Sequence, residues 1–200
     1  MAVPEAVERE ALSRGVVVAA ARAQIVAKGL DELSLRKLGA SLGVTAPALY
    51  AYVTDKRDLV RGVAEGEFGA LLERFMAVRE ADPVLRLRLL CRSYVDYALE
   101  NPELYKTMFL FPPELEISEP TGVEIALATR TFRYAVGTIE EAIEAGRLRV
   151  ELDPVVVSFV CWTATHGLAT VLLLGFAFDE ATCDMLIYTV LDTMIRGLGG

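Results

Sequence analysis

Apolar residues recur along this chain at three- and four-residue intervals, and nowhere do they alternate with polar ones for long enough to suggest a strand. The punctuation between the apolar runs is that of helices. Ser13 caps a helix that runs to Lys28 and stops at Gly29, with Val18, Ala21 and Ile25 forming its apolar face. Ser34 caps a short helix, Leu35 to Leu42, which Gly43 breaks. Thr45 caps a second short helix, Ala46 to Tyr52, with Pro47 accommodated in its first turn. Asp55 opens a long helix from Lys56 to about Glu80. The pairs Asp82-Pro83, Asn101-Pro102 and Asp153-Pro154 start three more, since Asp or Asn caps while proline fits the first turn. A loop is expected from Phe111 to Pro120, a helix from about Gly122 to Ala145, and a last helix from Asp179 to Ile195. The pattern predicts an all-α chain of about nine helices: a three-helix unit over residues 1–54 and a larger helical body over 55–200.

Charge divides the chain along the same line. The net charge is −8, which taken alone argues against nucleic acid, but residues 1–61 are net +2 and the remainder net −10. A DNA contact needs a local basic face, not a basic total. Three cysteines, Cys91, Cys161 and Cys183, each lie in an apolar helical pattern and read as buried free thiols in a reducing cytoplasm. With one histidine, His166, and no cysteine pair at ligand spacing, neither a metal nor another cofactor is expected. The first residues hold Glu5, Glu8 and Glu10 and no basic start before an apolar core, so no secretory signal is expected.

The sharpest pattern lies between Ser34 and Lys56. Two short helices joined at Gly43 form a helix-turn-helix when a small residue stands where they cross and apolar pins face one core. Gly39 is that small residue, and Leu38, Leu42, Val44, Leu49 and Tyr52 or Val53 are the pins. Ala46, Pro47, Ala48, Tyr50 and Ala51 are then left on the outer side. A plain helical hairpin would carry a Glu/Lys mixture there. This side is small or aromatic instead, with Ser34, Arg36, Lys37, Thr45 and Lys56 around it, where phosphate contacts would lie.

Residues 13–64 resemble the DNA-binding domain of TetR-type (tetracycline-repressor-like) transcriptional regulators. Leu33-Ser-Leu-Arg-Lys-Leu38, Leu42-Gly-Val-Thr-Ala-Pro-Ala-Leu-Tyr50 and Val53-Thr-Asp-Lys-Arg-Asp-Leu59 fall in that family's order and spacing. Asn101-Pro-Glu-Leu-Tyr-Lys-Thr-Met-Phe109 and Trp162-Thr-Ala-Thr-His-Gly-Leu168 are similar to a subgroup with a C-terminal Trp-His-Gly signature. The resemblance implies a homodimeric repressor of a double-stranded DNA operator. It also implies a ligand cavity in the body and dimerisation through the last two long helices. Ser34, Arg36, Thr45 and Lys56 would hold phosphates; Ala46, Pro47, Ala48 and Tyr50 would meet the groove, with Tyr52 near the backbone. Ala51 departs from the pattern, where relatives often carry a larger or charged residue.

In the body, Trp162, His166 and Thr170 stand one turn apart on one helix face. They read either as a ligand-binding wall or as a core histidine satisfied by its neighbours. Tyr94, Tyr97, Tyr105, Phe109, Phe111 and Phe132 are likewise either pocket lining or core; Tyr94, Tyr97, Phe109, Phe132, Trp162 and His166 are the candidate ligand residues. Few basic groups are available inside the body, with Arg92 or Arg133 the expected exceptions, so an uncharged hydrophobic effector is expected. Val155 to Phe178 is apolar enough for a membrane span, but its hydroxyls, His166 and acidic flanks favour a buried or interfacial helix. Its partner face is expected from Val157, Val160, Cys161, Leu168, Val171 and Leu172, with Met185, Leu186, Thr189, Val190 and Thr193 on the last helix. A ligand-responsive regulator, not an enzyme, is the leading reading. The rival is a helical small-molecule-binding protein or enzyme with no DNA role, which would have no need for the outer face of residues 46–51.

Overall fold

A computed structural model describes residues 12–109, 126–149 and 151–199 of the chain. The loop expected from Phe111 to Pro120 and the start of the helix expected at Gly122 lie outside the described residues. Every regular element within them is an α-helix. In order these are α1 (Arg14–Lys28), α2 (Leu35–Leu42), α3 (Ala46–Leu49), α4 (Lys56–Ala77) and α5 (Pro83–Glu100). They are followed by α6 (Pro102–Phe109), α7 (Ala126–Glu144), α8 (Pro154–Leu173) and α9 (Glu180–Gly197). The chain forms two compact units, and the division between Val63 and Ala64 falls inside α4.

In the first unit α1 starts at Ser13, whose Oγ accepts from the Val16 N–H, and ends at Gly29. Its buried stripe is Val17, Ala21 and Ile25. Ala21 and Ile25 are thus where they were expected, and Val17 takes the place of Val18, because positions four apart make the straighter row on a helix. α2 has the bounds the sequence predicts. Gly43 ends it with φ of 71°, a left-handed conformation that glycine takes without a Cβ penalty. Gly39 explains itself as well: a Cβ there would lie 3.0 Å from the Val44 carbonyl oxygen and 3.1 Å from the Ala46 nitrogen. The crossing of α2 with the turn is that close.

α3 is shorter than expected. It ends at Leu49 because the Tyr50 N–H turns back to the Pro47 carbonyl and the Tyr52 N–H to that of Leu49, tightening the chain after one turn. Leu49 and Val53 then enter the core beside Leu38. Leu42, Val44 and Tyr52 are half-buried.

In the second unit α5 packs against α6, α7, α8 and α9. The Asp-Pro starts act as expected. The Asp82 carboxylate accepts from the N–H groups of Val84 and Leu85, and that of Asp153 accepts from Val155. α8 is apolar on all sides yet only partly buried: Val157, Ser158, Cys161, Thr165, Leu168 and Ala169 point inward. Thr165 keeps its hydroxyl satisfied in the core by donating to the Cys161 carbonyl at 2.7 Å. Val157, Cys161 and Leu168, expected on a partner face, therefore belong to this subunit's own core. The uncovered apolar side of α8 is Val156, Phe159, Val160 and Val171, running to Leu174 just beyond its end. Cys91 and Cys161 are buried, whereas Cys183 is half-buried, contrary to expectation, on α9.

Candidate functional site

The outer side of the α2–α3 pair is built by the turn at Gly43. Arg36, Thr45, Pro47, Ala48 and Tyr50 are exposed, Tyr50 by 56%. Ser34, Ala46, Tyr52 and Lys56 are half-buried. Ser34 and Thr45 occupy the N-cap positions of α2 and α3 in extended conformation, but neither hydroxyl closes the cap. Ser34 is held instead by its N–H, which donates to Gln24 Oε1 at 3.1 Å. Arg36 and Lys56 have no carboxylate partner among the described residues. Lys37, expected among the basic groups, is paired with Glu32 at 2.5 Å.

A clamp that sequence reasoning missed fixes this face. Arg14, at the start of α1, meets Asp58 of α4 through two bonds of 2.8 Å and donates to the Tyr52 carbonyl at 3.0 Å. Asp58 also accepts from the Thr54 N–H. The Arg14 guanidinium, foremost, holds the Asp58 carboxyl down to a pKa of about 2. The segment between α3 and α4 is thereby tied at both ends. In the sequence Arg14 and Asp58 are 44 residues apart, and although Asp58 falls in the Val53–Leu59 motif nothing there points to Arg14.

The second unit holds a cavity of about 350 Å³ that is open on one side, where Phe159 and Trp162 are exposed. α4 supplies Phe68, Leu71 and Phe75; α5 supplies Leu87, Leu90, Cys91 and Tyr94; α6 ends on it with Phe109. Phe132 of α7 and Ser158, Phe159, Cys161, Trp162 and Thr165 of α8 complete the lining. No Asp, Glu, Lys, Arg or His among the described residues lines it. Burial pushes the Cys91 thiol up to about 11 and that of Cys161 up to about 12, so both are protonated and unreactive at neutral pH. Arg92, expected as an inward exception, pairs with Asp96 and Asp184, and Arg133 is exposed. A guanidinium facing acids and water avoids the desolvation the cavity would impose.

Of the six candidate ligand residues, Tyr94, Phe109, Phe132 and Trp162 line the cavity. Tyr97 does not. It lies three residues along α5, and its hydroxyl donates to the buried Glu67 carboxylate at 2.6 Å. His166 does not line it either; it stands behind the wall, on a smaller hollow shared with Phe109, Trp162, Thr163 and Gly167. The hydroxyls of Tyr94 and Tyr105 each lie 2.8 Å from His166 Nδ1. Trp162 Nε1 donates to the Tyr94 hydroxyl at 3.2 Å, and Tyr105 also meets Thr170 at 3.3 Å. Burial lowers the His166 pKa below its ordinary value, so the ring is neutral at pH 7. Burial likewise raises both tyrosines. The Trp162–His166–Thr170 row is thus gathered into one polar cluster by two tyrosines from other helices. Ser158, Phe68 and Phe75 escaped sequence reading, since nothing local separates a cavity-lining residue from a core one.

Residues 17–63 match the model of bacterial regulatory proteins of the tetR family. Residues 87–195 match that of the tetracyclin repressor-like C-terminal domain. No curated protein matches the chain. Among solved structures, a protein of unknown function from Rhodococcus sp. RHA1 is 27% identical, with 98% of this chain and 100% of that one covered and a TM-score of 0.80. RolR in complex with resorcinol is 18% identical over 93% of this chain and 87% of that one, TM-score 0.69. FadR from Bacillus subtilis in complex with stearoyl-CoA is 17% identical over 92% and 98%, TM-score 0.69. At those two identities the likeness is one of fold.

Proposed function

The chain belongs to the tetracycline-repressor-like family of bacterial regulators, and on that premise we propose that it is a homodimeric repressor released from its operator by a small, uncharged, apolar molecule. The observation that carries the DNA half is the outer face of α2 and α3. Tyr50, Pro47 and Ala48 stand exposed with no charged neighbour of their own helix to solvate them. Around them Ser34 and Thr45 leave their caps unclosed, and Arg36 and Lys56 lack carboxylate partners among the described residues. Ser34, Arg36, Thr45 and Lys56 hold phosphates; Ala46, Pro47, Ala48 and Tyr50 enter the major groove, and Tyr52 lies near the backbone. Ala46 and Ala48 offer methyl contact to thymine but no donor or acceptor, which leaves Tyr50 as the polar reader. The Trp-His-Gly signature is read as the subgroup's mark, with His166 acting through Tyr94 on the cavity wall.

The effector half rests on the apolar cavity. Lys56 and the cavity residues Phe68, Leu71 and Phe75 belong to one helix, α4. A ligand that binds better to the state with spread recognition helices lowers operator affinity by its differential affinity for the two states. The uncovered side of α8 and the exposed Met185, Tyr188 and Thr189 of α9 form the dimer seam by a two-fold pairing. α8 is long and apolar enough to cross a membrane, but a span would put the buried Ser158, Thr165 and the His166 cluster in lipid. We therefore read the chain as cytoplasmic, with no membrane partner and no catalytic role.

Salt dependence of duplex binding tests this reading. Arg36→Ala and Lys56→Ala are expected to weaken binding to every sequence and to flatten the salt slope by about one unit for each phosphate no longer held. Tyr50→Ala is expected to leave that slope alone and cost about 1–3 kcal/mol at the operator only. A wild-type chain with no salt-dependent duplex binding would overturn the proposal.

A further inference from the structure

Ser158 sits on α8 in the middle of an apolar helix, lines the cavity and is 2% exposed. Its hydroxyl makes no hydrogen bond with any described residue. It is not sealed off: among the described residues the fully buried side-chain polar atom without a partner is Arg88 Nε, so Ser158 Oγ keeps an opening onto the cavity it lines. The other polar side chains on the same wall have partners. Thr131 donates to the Leu127 and Phe68 carbonyls, Thr165 to that of Cys161, and Trp162 to Tyr94. Thr129 is engaged as well. The two thiols are weak donors, protonated by their burial. One strong hydrogen-bonding group therefore remains open to an occupant of the cavity, and it both donates and accepts.

We infer that Ser158 is the specificity-determining residue of this cavity, and that the effector is a neutral, ring-sized hydrophobe carrying one neutral oxygen, hydroxyl or ether, that pairs with it. The inference rests on the effector reading above and adds the ligand's polar group and its partner. The size follows from the volume of about 350 Å³, near the small end of ligand pockets. The ring character follows from Phe68, Phe75, Phe109, Phe132, Phe159 and Trp162 around the space. Neutrality follows from the lack of any charged lining residue among those described: a carboxylate or ammonium would be buried without a counter-charge.

Isothermal titration of the full chain and of Ser158→Ala with naphthalene, 2-naphthol, 2-methoxynaphthalene and 2-naphthoate tests this. The preference of the wild type for 2-naphthol and 2-methoxynaphthalene over naphthalene is expected to fall about three- to tenfold in Ser158→Ala, the effect of one neutral hydrogen bond. Naphthalene itself should bind the variant at least as tightly, and the unliganded variant should melt no lower than the wild type, since it loses a hydroxyl with no partner among the described residues. 2-Naphthoate should bind at least about tenfold more weakly than naphthalene. A preference unchanged within about twofold, a lowered melting temperature with lost naphthalene binding, or tightest binding of the carboxylate would each overturn the inference. If naphthalene binds but the preference does not move, only the role of Ser158 fails. If none of the four binds the wild type, the effector reading itself fails and takes the inference with it.

Discussion

Asp58 shows how much a single residue organises beyond its neighbourhood. Its carboxylate takes both guanidinium nitrogens of Arg14 and the Thr54 N–H, so it joins α1, the end of the α3 turn and α4. Its pKa is depressed to about 2, chiefly by Arg14. A carboxyl with a depressed folded-state pKa contributes stability that is fully present above its unfolded value, near about 4, and is lost as pH falls towards about 2. Asp58→Asn is therefore expected to flatten the acid limb of the stability curve between those values and to leave its neutral-to-basic limb parallel to wild type. Urea melts at stepped pH check this. An acid limb identical to the wild type's would show that the pair does not form.

At the scale of elements, the α2 crossing is set by distance. A Cβ on Gly39 would meet backbone atoms at 3.0 to 3.2 Å, and backbone has no rotamer with which to yield. Gly39→Val is expected to cost about 1–3 kcal/mol by overpacking and to weaken duplex binding, because α3 is carried on the displaced turn. A variant with wild-type melting and duplex affinity would contradict the close approach. This crossing was legible in the sequence, as were the bounds of α2 and the Asp-Pro starts, because caps and glycines act within a few residues. What was illegible depends on partners far along the chain. The end of α3 at Leu49 is decided by a tightened turn over residues that read equally well as helix. Tyr97 and Tyr94 look alike in sequence, and only the position of Glu67 on α4 draws one hydroxyl away from the cavity. His166 stood out as the chain's one histidine, but its place behind the wall required Tyr94 and Tyr105 from two other helices. Ser158 was visible only as a hydroxyl in an apolar run.

On the scale of the whole molecule, two features bear on the proposed pairing with a second copy of the chain. Val156, Phe159, Val160, Val171 and Leu174 form an uncovered apolar side at α8, and Met185 and Tyr188 are each exposed by 61% on α9. A two-fold seam over these residues is expected to bury more than about 1,200 Å² in total. Val160→Glu is then expected to shift sedimentation at micromolar concentration from dimer to monomer, and a wild type that sediments as a monomer would rule the seam out. The second feature is the proposed recognition surface, since one short α3 offers few base contacts and a symmetric pair would double them. The most direct measurement is selection from a pool of random duplexes by the purified chain at low salt. Enrichment of a two-fold symmetric sequence is expected, with half-sites about 34–36 Å apart or a multiple of that. A pool that remains random after repeated rounds would contradict it.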